Sequence, residues 1–106
     1  MDGISSGERQ KAFLARAVLQ NPKVLFLDEP TNHLDPFAVE SFWTNLLSAR
    51  RKNSFEVLVT THDLEFIRAH ADWVYALSQG KPVFDGETKS FFERDWPKKI
   101  YSCTPQ

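Results

Sequence analysis

The stretch Val24-Leu25-Phe26-Leu27-Asp28-Glu29-Pro30-Thr31-Asn32-His33-Leu34-Asp35-Pro36 decides the fold. Four apolar residues without alternation read as a strand covered on both faces, as in a parallel sheet. The run ends in two acids and a proline. Residues 31–34 then form a short loop. Asp35-Pro36 starts a helix with an N-cap acid followed by proline at the first helical position.

The same order continues outward. Upstream, Ser5 or Ser6 can cap a helix through Ala12, Phe13, Leu14, Ala15, Val18 and Leu19, which Asn21-Pro22 stops. Downstream, Val39, Phe42, Trp43, Leu46 and Leu47 fall at helical spacing, and Arg50-Arg51-Lys52-Asn53-Ser54 closes that helix. Val57-Leu58-Val59 is a second buried-type strand. Asp63 can cap a third helix with Leu64, Ile67 and Ala71 on its inner side. Trp73–Leu77 is a third strand. Gln79-Gly80 turns the chain into Pro82-Val83-Phe84, an edge hairpin that Gly86 ends. Residues 88–101 read as one or two short helices anchored by Phe91, Phe92, Trp96, Ile100 and Tyr101. Strands alternating with helices predict an α/β fold with a parallel sheet and flanking helices.

Composition supports one folded domain or part of one. The chain has 106 residues, of which 42% are hydrophobic and 13% aromatic, too apolar for a disordered segment. Thirteen basic against 14 acidic side chains leave a formal charge of −1, which excludes strong binding to nucleic acid by bulk charge. The lone Cys103 excludes an internal disulfide framework and a multi-cysteine metal site, and suits a reducing compartment. No apolar run is long enough to span a membrane. The first six residues lack a basic n-region and an apolar h-region, so no secretory signal is expected.

In parallel sheets, ligands sit at the carboxyl ends of strands. Asp28-Glu29 follows one strand and His62-Asp63 another. Adjacent strand acids point in different directions, so one can hold Mg²⁺ while the other orients a water, the two tasks of phosphoryl transfer. His62 can donate to a phosphate oxygen beside free helix N–H groups. Ser5-Ser6-Gly7 at a helix start offers hydroxyls and N–H groups to an anion. Singly, each feature reads as ordinary: solvated acids, a loop histidine, an N-cap. His33 and His70 rank below His62, since no metal-ligand spacing joins the three.

The combination is more specific. Ile4-Ser5-Ser6-Gly7-Glu8, then Ala15-Arg16-Ala17, Pro22, the stretch Val24–Asp35 and Thr61-His62-Asp63 resemble, in order and spacing, the ATP-binding-cassette (ABC) ATPases over nearly the whole chain. The resemblance implies a partial P-loop NTPase fold, with residues 1–106 forming the C-terminal half of a nucleotide-binding domain. It implies ATP and Mg²⁺ as cofactors of the intact domain. Ser5, Ser6 and Gly7 are similar to the signature motif, which binds the γ-phosphate of ATP held by the opposite subunit. Asp28 resembles the Walker B aspartate serving Mg²⁺, and Glu29 the general base. Leu34 and Asp35 resemble the D-loop at the dimer interface, which places Asp35 among the nucleotide-site residues. His62 resembles the switch histidine on the γ-phosphate.

Two positions depart from the family pattern: Ser6 stands where glycine is usual, and Glu8 where glutamine is usual. No G-x-x-x-x-G-K-[ST] occurs among the four glycines. Most phosphate affinity comes from that loop's backbone N–H groups and lysine. The isolated chain is therefore expected to bind ATP poorly, not to turn it over, and to leave an apolar sheet face and strand edge exposed.

The resemblance implies an ATPase subunit powering a membrane transporter. Its partners would be a second nucleotide-binding domain and transmembrane permease subunits, and its place the cytoplasmic, inner face of the cell membrane. The tail from Phe91 to Tyr101 is similar to importers of iron chelates, haem or cobalamin. Two alternatives stand beside this. Glu8 and Thr31–Asp35 also occur in soluble ABC proteins acting on ribosomes, although those carry Arg where this chain has Leu64. A non-catalytic half-cassette could instead supply only the signature face to a full one.

Overall fold

Nine elements follow one another in the computed structural model, which describes residues 6–102. The chain divides into two units, Met1–His62 and Asp63–Gln106.

In the first unit, α1 (Ser6–Leu19) leads to β1 (Val24–Asp28), α2 (Pro36–Asn53) and β2 (Glu56–Thr60). The helix start expected at Ser5 or Ser6 falls at the edge of the described residues: Ser6 opens α1, and Ser5 lies outside them. Asp35 caps α2 as expected, its Oδ1 accepting the Ala38 N–H at 2.8 Å, with Pro36 in the first turn. Ser54 ends the helix in the left-handed conformation, and its N–H donates to the Arg50 carbonyl at 2.8 Å. The helices α1 and α2 pack on each other. Their buried side chains include Leu14, Phe42, Trp43 and Leu46, with the Phe42 and Trp43 rings edge to face at 5.3 Å.

Strands β1 and β2 pair in parallel, Val24 opposite Glu56 through Asp28 opposite Thr60. Here one expectation is corrected. The apolar run does not have two covered faces among the described residues. Leu25 and Leu27 are buried, whereas Val24, Phe26 and Leu58 stand 57–60% exposed. Side chains alternate along a strand, so Phe26 and its register partner Leu58 share the open face.

The second unit holds α3 (Leu64–His70), β3 (Trp73–Ser78), β4 (Lys81–Glu87), α4 (Thr88–Glu93) and α5 (Trp96–Ser102). Asp63 caps α3, accepting the Phe66 N–H at 3.1 Å. The hairpin forms as expected, antiparallel rather than parallel. Gln79 and Gly80 both adopt positive φ (54° and 78°), as a two-residue hairpin turn matched to strand twist requires. Pairing shifts between Ala76 and Leu77, leaving Val83 as an extra residue beside Pro82, which has no N–H to give the ladder. Gly86 lies inside β4 instead of ending it. One face of the hairpin packs on Phe91, Phe92, Trp96 and Ile100 around Val74 and Ala76. Trp73, Tyr75 and Leu77 line the other face, 56–61% exposed. Parallel pairing among the described residues is confined to β1 and β2.

Candidate functional site

The carboxyl ends of β1 and β2, with the loop after β1, bring five polar residues together: Asp28, Glu29, Asn32, Thr60 and His62. Asp28 and Thr60 are register partners at the ends of the two strands. The Thr60 hydroxyl donates to Asp28 Oδ1 at 2.6 Å. The next residue, Glu29, leaves the strand at φ +45°, a left-handed conformation that L side chains seldom adopt. Its N–H is held at 2.9 Å from both the Thr60 carbonyl and the Thr60 hydroxyl oxygen. Glu29 therefore lies outside the strand, and its carboxylate takes partners other than that of Asp28.

The Glu29 carboxylate has two partners. Its Oε1 lies 3.3 Å from His62 Nε2, and its Oε2 accepts from Asn32 Nδ2 at 3.1 Å. The His62 side chain is 76% exposed and that of Glu29 34%, so the pair opens to solvent and to any ligand arriving there. The chain segment after Glu29 is fixed from two directions. The Asn32 N–H returns to the Glu29 carbonyl at 3.2 Å, and the α1 residue Gln10 donates its side-chain amide to the Pro30 carbonyl. Pro30 itself is buried.

Asp28, Glu29 and His62, expected from separate places in the sequence, thus converge. Gly7 and Asp35 meet elsewhere. Both line a surface groove of about 310 Å³ between α1 and α2, with Glu8, Lys11, Phe37 and Ser41. None of Asp28, Glu29 or His62 lines that groove. Ser5 lies outside the described residues, as does the Ser6 side chain. His33, at φ +69°, is exposed in the loop, and His70 packs its ring 5.3 Å from Phe66, so neither joins the cluster. The sequence assigns no individual role to Thr60 or to Asn32, although Asn32 lies within the quoted stretch. Thr60 looks like any β-branched strand residue, and only the register that sets it opposite Asp28 reveals it.

The donor set suits one small hard cation shared with a ligand. Among the described residues no three His, Cys, Asp or Glu side chains gather as a metal cage. Mg²⁺ is commonly held by one or two carboxylates plus phosphate oxygens and water, so a single aspartate is enough on the protein side. With one Asp28 oxygen tied to Thr60, its acceptor capacity leaves the other for such a cation.

A family model described as "AAA domain, putative AbiEii toxin, Type IV TA system" matches residues 1–68. The phosphonates import ATP-binding protein PhnC 1 of a Synechococcus species is 38% identical over 100 residues, covering 94% of this chain and 38% of that protein. The methionine import ATP-binding protein MetN of Coxiella burnetii is 37% identical over 91 residues, covering 86% of this chain and 26% of that protein. Among solved structures, cbiO1 from Clostridium perfringens, part of the ABC transporter complex cbiONQ, superposes with a TM-score of 0.74 at 28% identity, over 97% of this chain and 41% of that one. The ADP conformation of MJ1267, an ATP-binding cassette of an ABC transporter, matches in fold with a TM-score of 0.77 at 23% identity, over 96% of this chain and 41% of that one. The chain therefore spans well under half the length of these relatives. By the family match over residues 1–68 and by its similarity to import ATP-binding proteins and transporter cassettes, the chain belongs to the family that the AAA-domain model describes and is an ATP-binding-cassette ATPase sequence carrying part of that nucleotide-binding fold.

Proposed function

We propose that this chain supplies the hydrolytic edge and the signature face of an ATPase subunit that powers import across a membrane. The observation that carries the reading is the convergence of Asp28, Glu29 and His62 at the carboxyl ends of a parallel strand pair. In this reading Asp28 offers a carboxylate oxygen to Mg²⁺. Glu29 accepts the proton of the attacking water. His62 donates to the γ-phosphate, and its 3.3 Å contact with Glu29 sets the distance between base and phosphate ligand. Bound Mg²⁺ would neutralise phosphate charge that two carboxylates would otherwise repel.

Gly7 and Asp35 share a groove apart from that cluster, which supports their assignment to the face presented to a second nucleotide-binding domain. Ser5 and Ser6 are assigned to the same face by their place in the motif. The transport role is favoured over action on ribosomes because the relatives reported above are import subunits. The partners proposed are a second nucleotide-binding domain and permease subunits, at the cytoplasmic face of the cell membrane. No helix among the described residues is long and apolar enough to cross a membrane, so permease subunits would supply the spans.

A nucleotide titration tests the reading. The 106-residue chain is expected to show only weak binding of Mg²⁺-ATP and no turnover, because the phosphate-cradling loop is not among its residues. In the intact ATPase, Glu29→Gln is expected to abolish turnover while ATP still binds. Tight, Mg²⁺-dependent binding by the chain alone would overturn the assignment of affinity to the phosphate loop. Unimpaired turnover by Glu29→Gln would remove Glu29 as the base.

A further inference from the structure

We propose that Thr60 is a positioning residue that sets the geometry of both acids, fixing the Asp28 carboxylate and the left-handed turn of Glu29 through one hydroxyl. The inference deepens the function proposed above and rests on it for its kinetic consequence.

The argument is one of hydrogen-bond polarity. An ionised carboxylate only accepts, and a backbone N–H only donates. At 2.6 Å from Asp28 Oδ1, the Thr60 hydroxyl must be the donor. At 2.9 Å from the Glu29 nitrogen, the same oxygen must be the acceptor. Its proton is committed to one acid and a lone pair to the backbone of the other. The Thr60 carbonyl takes the same Glu29 N–H at 2.9 Å, so the residue that leaves β1 at φ +45° is anchored twice to a single position of β2. From there Glu29 reaches His62 at 3.3 Å and Asn32 at 3.1 Å. Asp28 is turned so that one oxygen faces Thr60 and the other remains for a cation.

Valine at position 60 keeps the shape, the strand preference and the carbonyl, and removes only the hydroxyl. In the intact ATPase, Thr60→Val is expected to lower kcat about tenfold, the scale of one charge-assisted hydrogen bond. It should also raise severalfold the Mg²⁺ concentration needed for half-maximal rate, with little change in KM for ATP. Thr60→Ser restores the hydroxyl and should return both values to near native. Native kcat and Mg²⁺ dependence in Thr60→Val would overturn the proposal. So would a Thr60→Ser variant as impaired as Thr60→Val, since shape and not the hydroxyl would then matter. Amide hydrogen exchange at Glu29 in the 106-residue chain reads the same geometry without catalysis. It should speed up about tenfold in Thr60→Val and stay near native in Thr60→Ser. An unchanged rate in Thr60→Val overturns the positioning role. Changed exchange in the chain, beside an intact protein that turns over no ATP, would overturn the ATPase reading alone.

Discussion

Leu27 and Phe26 are neighbours in one strand, and replacing them should have unequal effects. Leu27 is 2% exposed and Phe26 is 57% exposed. Truncation to Leu27→Ala removes a fully enclosed side chain and leaves a cavity, which costs about 3 kcal/mol. Full burial of a phenylalanine contributes about 1.5–3 kcal/mol, and less than half of Phe26 is withdrawn from water, so its share is about 1 kcal/mol. Threonine keeps the strand preference, so Phe26→Thr should cost no more than that. In thermal unfolding the two variants should differ by about 10 °C in Tm for a chain of this size. Urea unfolding followed by far-ultraviolet circular dichroism gives the free-energy difference directly, provided the slopes agree. Sedimentation at rising concentration should show Phe26→Thr staying monomeric beyond the native chain, since one large residue leaves the open face shared with Val24 and Leu58. A Phe26→Thr variant as damaged as Leu27→Ala would refute the one-sided burial of β1.

Two further substitutions probe single elements. Asp35→Ala removes the α2 N-cap and should destabilise the chain by about 1 kcal/mol in the same urea assay, while Asp35→Asn should be close to neutral, because either side chain can accept the Ala38 N–H. Gly80→Ala should cost about 1 kcal/mol from backbone strain at φ +78° alone, because nothing lies within 4 Å of the added Cβ; an unchanged midpoint would show that the hairpin turn relaxes.

Local chemistry made much of the fold legible in advance. Asp35-Pro36 and Asp63 announce helix starts because a side-chain oxygen before a helix has one strong use, and both accept a backbone N–H three residues on. Gln79-Gly80 announces a hairpin because few residues tolerate paired positive φ. The acids at the end of β1 and just after it, and the histidine after β2, declare themselves by motif, and the strand register then brings them together. Three features were not legible. An apolar run encodes the burial that a strand is built for, so Val24-Leu25-Phe26-Leu27 could not reveal that one face stands open among the described residues. A glycine reads as a stop, yet Gly86 continues β4, where a Cβ would come within 3.1 Å of the Phe84 ring. Thr60 carries no motif of its own, since its role exists only across the strand pair.

The left-handed backbone at Glu29 sets a conflict between fitness for folding and fitness for chemistry. Holding a non-glycine residue at φ +45° costs on the order of 1 kcal/mol or more, which glycine would relieve and asparagine would reduce. A library screened only for folded protein should therefore drift at position 29 towards those residues. One screened for ATP turnover should hold glutamate against that drift. The position is a place where the stability optimum and the working sequence part company, and stabilisation guided by folding energy alone would replace the proposed base.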